Sequence, residues 1–224
     1  MPLMAARPTT RDRAGGSTSH RPDGGRTPSL LGLTGGIGAG KSTALAALGR
    51  LGAATLSSDE VVADAYTDPG LVGAVRERFG AATIAPDGSV DRAALASAAF
   101  EAPGGIEFLE GLIHPRVGEA RAQWVARERA RQAPAPLLVC EVPLLFEVGI
   151  EADFDAVLVV TASEPIRRER VAARGQDFDQ RSARQIPEAE KVARADEVLV
   201  NDGSEADLER WARSVFTKYA TPDR

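Results

Sequence analysis

The strongest chemical signal in this chain is the run Gly35-Gly36-Ile37-Gly38-Ala39-Gly40-Lys41-Ser42. It fits G-x-x-x-x-G-K-[ST], a spacing in which small residues let successive backbone N–H groups converge on phosphate oxygens. In that reading the Lys41 ammonium bridges the β- and γ-phosphates of a nucleotide, and the Ser42 hydroxyl binds Mg2+. The plain alternative is a flexible glycine turn ending in a surface lysine. A dinucleotide-binding turn is the other rival, and it fails: G-x-G-x-x-G counted from Gly36 needs glycine where Lys41 stands. The lysine is itself informative, because only Lys41, Lys191 and Lys218 among the 27 basic residues are lysine. A guanine reader of the form N-K-x-D is missing as well, since the single asparagine, Asn201, is followed by Asp202. A kinase of small molecules therefore leads over a regulatory GTPase.

Such a loop works only between a strand and a helix, and both are legible. Leu30-Leu31-Gly32-Leu33-Thr34 is a short apolar run suited to a strand buried on both faces. Ala44, Ala47, Leu48 and Leu51 then recur at helical spacing. Further strands are predicted at 53–56, 137–142, 155–161 and 197–200. Residues 59–132 have helical patterning interrupted at Asp68-Pro69-Gly70, Pro86-Asp87-Gly88 and Pro103-Gly104-Gly105. Pro115 suits the first turn of a long helix with Val117, Ala120, Trp124 and Val125 on one face. The closing helix places Leu208, Trp211, Ala212, Val215, Phe216 and Tyr219 on one face, with Ser204 and Asp207 as a capping pair at its start. Apolar strands separated by helices predict an α/β fold, a parallel sheet covered by helices on both faces.

Composition narrows the setting. The chain has 224 residues, 43% of them hydrophobic, which is ample for a buried core. No apolar run is long enough to span a membrane. A net charge of -5 argues against a general nucleic-acid binder. The single cysteine, Cys140, lies in an apolar stretch and points to core packing in a reducing, cytoplasmic setting. Residues 1–28 read as a disordered basic tail, with five Arg, two Asp and no periodic apolar pattern. It lacks the apolar stretch of a secretory signal.

The sequence from about Leu30 to Tyr219 resembles the dephospho-CoA kinases, the family of the last step of coenzyme A synthesis. The family opening L-T-G-G-I-G-S-G-K-S-T is matched by Leu33 to Thr43, with Ala39 in the serine slot. H-P is present as His114-Pro115, and P-L-L-F-E as Pro143-Leu144-Leu145-Phe146-Glu147. Arg170, Arg174, Arg181, Gln185 and Lys191 follow the family's later series, and Ala195-Asp196 with Asn201-x-Gly203 its ending. The resemblance implies transfer of the ATP γ-phosphate to the ribose 3′-hydroxyl of dephospho-CoA by a P-loop NTPase-type fold with a helical substrate-binding region and a small lid. Here the core would be 29–58, 133–163 and 195–224, the CoA-binding region about 59–132 and the lid about 164–194. ATP would lie on Gly36, Ile37, Gly38, Ala39, Gly40, Lys41, Ser42 and Thr43. Asp59, His114, Pro143 and Leu144 would face dephospho-CoA. Two positions depart from the family: Ser57-Ser58-Asp59 replaces D-A-D, and Arg167 stands where a glutamine is usual.

Chemistry assigns roles to these positions, each beside a plainer one. The attacking alcohol must lose a proton, so Asp59, beyond a strand's carboxyl end, reads as base or hydroxyl-orienting residue. It also suits a helix N-cap. Glu141 reads as an acid near Mg2+ or as a strand-end charge. Arg170 and Arg174, spaced i, i+4, read as lid contacts to the transferred phosphoryl group, the alternative being a solvated helix face. Arg167, Arg168, Arg181 and Arg184 stay with the solvated face. His114 reads as a structural residue at a helix entrance that also holds substrate. Asn201 either reads the adenine edge or ends a strand. Two other functions remain open: phosphorylation of another small acceptor such as a nucleoside monophosphate, and a non-catalytic nucleotide-binding regulator, favoured only by the acid missing at Ser57.

Overall fold

Apolar strands alternating with amphipathic helices can bury themselves only by stacking helices on both faces of a sheet. The computed structural model, which describes residues 27–220, has that arrangement. Its five strands are β1 (Ser29–Gly35), β2 (Ala54–Ser57), β3 (Leu137–Glu141), β4 (Ala156–Thr161) and β5 (Glu197–Val200). All pairs are parallel, in the order β2-β3-β1-β4-β5. The helices of the first half are α1 (Lys41–Arg50), α2 (Ser58–Ala65), α3 (Pro69–Phe79), α4 (Arg92–Glu101) and α5 (Gly105–Arg129). The second half adds α6 (Glu164–Ala172), α7 (Phe178–Ser182), α8 (Glu188–Arg194) and α9 (Glu205–Ala220).

The central strand shows why its sequence is apolar throughout. Leu31 and Leu33 point to one face and pack with Val139, Leu158 and Val160 beneath α1 and α9. Leu30 points to the other and packs with Leu138, Val157 and Val159 against Trp124, Phe146 and Phe154. Each such leucine contributes roughly 1.5–3 kcal/mol by leaving water. A third cluster, Leu71, Val75, Leu95, Ala99 and Leu109, lies among α3, α4 and α5. No helix among the described residues is long and apolar enough to cross a membrane.

Most predicted elements lie within one or two residues of the observed ones. The Asp68-Pro69-Gly70 break is a helix start: Asp68 accepts the Leu71 N–H (2.9 Å) with Pro69 in the first turn. Ser204 and Asp207 cap α9 reciprocally, each backbone N–H donating to the other's side chain. Pro115 corrects the prediction. It lies inside α5, which begins ten residues earlier at Gly105. Proline removes one N–H from that helix, and the Arg116 guanidinium donates to the Leu112 carbonyl (2.9 Å) beside the gap. Packing of Leu109 and Trp124 carries the helix through. Of the expected tail, all but Thr27 and Pro28 lies outside the described residues. Pro28 is buried, its carbonyl accepting from Arg129 (3.3 Å), so the folded part begins slightly earlier than expected.

Candidate active site

The loop from Gly35 to Gly40 joins the central strand to α1, at the carboxyl edge of the sheet where open α/β folds bind ligands. Its glycines answer to close neighbours. Gly38 has φ +76°, and a Cβ there would lie 2.5 Å from the Arg167 carbonyl oxygen. Gly40 has φ +100°, and a Cβ there would lie 2.3 Å from the Asn201 amide nitrogen. Ordinary side chains at either position would be strained and clash. Ser42 and Thr43 are exposed in the first turn of α1, which carries no acid of its own. The positive end of that helix is thus left for an anion.

Lys41 folds back over the loop, its Nζ donating to the carbonyls of Gly35 (3.2 Å) and Gly36 (3.4 Å). Burial pulls its pKa down, while the carboxylates of Glu141 and Asp59 pull the other way. Glu141 ends β3 and is buried, and burial pushes its carboxyl pKa up despite the Lys41 charge. Asp59 lies exposed in the first turn of α2, its charge felt by both. It is not the cap of that helix. Ser57 holds that position, without a side-chain bond. Ser57 is also in register with Glu141, so an acid there would add a like charge beside an already disfavoured carboxylate.

The two arginines expected to act together separate. Arg170, in α6, donates to the carbonyls of Gly38 and Ala39 (both 3.4 Å) and of Asn201 (3.1 Å). Arg174 lies past the end of α6 and is exposed, so the expected shared helical face does not form. Its charge nevertheless lowers the proton affinity of Lys41. Asn201 is buried: its Nδ2 donates to the Ala39 carbonyl (2.8 Å), and its backbone N–H to the Thr161 carbonyl (2.7 Å). It follows the last residue of β5 and braces the loop.

Pro143 and Leu144, half-buried, follow β3, and the Thr34 hydroxyl donates to the Pro143 carbonyl (3.3 Å). That bond ties the turn to the strand that carries the loop. His114 lies in the middle of α5, exposed, rather than at a helix entrance. It is one turn from Glu110, which pairs with Arg184 (2.7 Å).

Arg167 is not the solvated side chain expected. It is nearly buried, bonded through Nε to the Ala162 carbonyl (3.0 Å) and paired with Glu188 (2.6 Å). Its Nη1 would lie 2.8 Å from a Cβ on Gly36, so it packs directly on the loop. Glu188 in turn accepts from the Thr161 hydroxyl. By contrast, Arg168 pairs with Glu164 and Asp179 at the surface, as expected of a solvated face. Cys140 is a core residue, burial pushing its thiol pKa up to about 12.

A loop, a lysine and two acids on one edge of a parallel sheet can bind a nucleotide's phosphates and activate a hydroxyl beside them. Comparison with known proteins bears on which hydroxyl. The sequence model of the dephospho-CoA kinase family matches residues 29–207. A dephospho-CoA kinase of Anaeromyxobacter dehalogenans is 42% identical over 181 residues, covering 78% of this chain and 84% of that protein. One of Chlorobaculum tepidum is 33% identical over 204 residues, covering 88% and 97%. A crystal structure from Thermus thermophilus is 36% identical with a TM-score of 0.72, covering 86% of this chain and 98% of that one. The dephospho-CoA kinase of Campylobacter jejuni, 22% identical with a TM-score of 0.63, shares the fold over 85% and 96%.

Proposed function

The chain belongs to the dephospho-CoA kinase family and phosphorylates dephospho-CoA at the expense of ATP in coenzyme A biosynthesis, and from that premise we propose how its residues share the work. The acceptor is the ribose 3′-hydroxyl. The loop that runs from Gly36 to Thr43 and the start of α1 hold the ATP phosphates, through amides other than those of Ile37 and Ala39, and Lys41 swings from its own loop carbonyls to the β- and γ-phosphoryl oxygens. Asp59 accepts the hydroxyl proton. Arg170 and Asn201 pin the Gly38 and Ala39 carbonyls from outside, which keeps the loop's N–H groups turned inward. Arg174, free of the helix, closes on the phosphates. His114, Pro143 and Leu144 border the acceptor. The observation that carries this reading is the joint placement of Lys41 on the loop's own carbonyls, Glu141 at the end of β3 and Asp59 in the first turn of α2, all at the carboxyl edge of the sheet.

Mg2+ fits the donors present. The Ser42 hydroxyl and the Glu141 carboxylate are hard oxygen ligands beside the loop, and this ion commonly takes one or two protein oxygens together with substrate phosphates. Bound there, it would neutralise charge on the β- and γ-phosphoryl oxygens. A cytoplasmic setting is supported by the lone buried thiol of Cys140.

The test is a coupled assay with purified protein. ADP release from ATP and Mg2+ should depend on dephospho-CoA. Turnover with a nucleoside monophosphate in its place would reassign the acceptor, and ATP binding without turnover on either would favour the regulatory reading. Glu141 offers a second check. A carboxyl with a raised pKa favours the fold in its protonated form, so that stability is present below the ordinary glutamate range and is lost as pH rises through the raised value. Glu141→Gln should therefore melt higher than the parent at pH 8, with the gap closing towards pH 4, while needing several-fold more Mg2+ for half-maximal activity. A lower melting point at pH 8 would show that the ionised carboxylate supports the fold.

A further inference from the structure

Three family-motif residues left without a task above meet beside the phosphate loop: Glu147, Gln185 and Lys191. Lys191 is 1% exposed, and its Nζ lies 2.7 Å from Glu147 Oε1. The same oxygen accepts the backbone N–H of Ile186 (3.0 Å). One carboxylate, held in the turn after β3, thus fixes both ends of the segment from Ile186 to Lys191. The adjoining Gln185 reaches the loop, its Oε1 accepting the N–H of Ile37 (3.1 Å). Ile37 is the third residue of the phosphate-binding motif, at the mouth of the cradle. The Lys191 charge is also felt at Lys41, so the anchored segment and the loop lysine share one electrostatic environment.

A buried ion pair is a poor way to gain stability, because desolvating two charges offsets most of their attraction. Here it has a geometric effect: it sets Gln185 against the loop. A carboxamide suits that task. It accepts the Ile37 N–H without bringing negative charge to a site for phosphate, as a glutamate would.

We propose that Gln185 is a positioning residue for the mouth of the phosphate loop, held at its post by the buried Glu147–Lys191 pair. The two sides of the loop's entrance are then set as one unit, and the effect falls on ATP rather than on the acceptor. The proposal rests on the loop being the ATP site.

The experiment uses the full chain and reads MgATP affinity by calorimetry beside steady-state kinetics. Gln185→Met keeps the length and removes the acceptor. It should weaken MgATP binding about tenfold, with KM for dephospho-CoA within about threefold and the melting point within about 3 °C. Gln185→Glu keeps the bond but adds a charge, and should weaken MgATP at least as much. Removing one partner of the buried pair risks unfolding, so the pair is replaced together, Glu147→Gln with Lys191→Met. That double variant should show the same ATP-side loss, and adding Gln185→Met to it should change affinity by less than about twofold, as expected of groups acting as one unit. Unchanged MgATP affinity in Gln185→Met, equal losses for both substrates, or losses that multiply in the triple variant would each overturn the proposal. If the double variant does not fold, Gln185→Met and Gln185→Glu decide alone. Because binding is read without turnover, absence of dephospho-CoA-dependent ADP release would sink the kinase reading while leaving this test intact.

Discussion

Lys41→Met is expected to lower kcat by at least about a thousandfold, roughly 4 kcal/mol of transition-state stabilisation, without lowering the melting point. The first half follows from position: Lys41 is the loop's own cation, and no backbone amide can replace a full charge on the transferred phosphoryl group. The second half follows from its burial. Desolvation pulls the Lys41 pKa down, and Glu141 only partly restores it. A lysine with a depressed pKa is less content charged in the fold than in the unfolded chain. Its ammonium therefore subtracts stability below the folded pKa, and the deficit fades as pH rises towards the unfolded value. Methionine keeps the aliphatic stem and drops the charge. The Gly36 carbonyl, which loses one donor, still accepts the Ala39 N–H (3.2 Å). Activity and stability thus move in different directions, and thermal melting beside a turnover assay separates them. A variant that melts much lower would make Lys41 a structural residue, and one that keeps its rate would remove the loop from the chemistry.

The same residues show which features could be read from sequence. The strand before the loop and the helix after it were visible because burial on both faces forces β1 to be apolar and burial on one face forces α1 and α9 to be periodic. Pro115 misled because proline at a first turn and proline tolerated inside a packed helix look alike locally. Only the contacts of Leu109 and Trp124 distinguish them. Arg167 and Asn201 show a different limit. Each is a polar residue whose partner lies far along the chain, Ala39 for Asn201 and Glu188 and Gly36 for Arg167. A charged side chain on a helix gives no local sign of whether it meets water or another backbone. Lys191 did carry a signal, as one of three lysines in an arginine-rich chain. A compact ammonium suits full burial against a single carboxylate better than a planar guanidinium does. Its partner Glu147 ends the run Pro143-Leu144-Leu145-Phe146-Glu147, and only the fold brings the two together.

Asp59→Asn should cut kcat between about a hundredfold and ten-thousandfold while MgATP affinity stays within about threefold. The structure makes this a cleaner experiment than the sequence did. Had Asp59 been the cap of α2, losing its carboxylate would have disturbed the helix and mixed stability with catalysis. Ser57 occupies the cap, and Asp59 sits exposed in the first turn. Asparagine there forgoes only the attraction between a negative charge and the helix start, about 0.3–1 kcal/mol. That is small beside a loss of roughly 3–5 kcal/mol in the transition state. Ser57 and Ser58 also leave few nearby acids to take over. Glu60 is next in sequence, also exposed, and like Asp59 raises the carboxyl pKa of Glu141. Glu60→Gln should therefore keep kcat within about twofold, which serves as the control for charge alone. If Asp59→Asn instead raised KM for ATP with kcat intact, the carboxylate would be shaping the field around Lys41. The proton of the attacking hydroxyl would then have to leave by way of Glu141, the other acid facing that lysine.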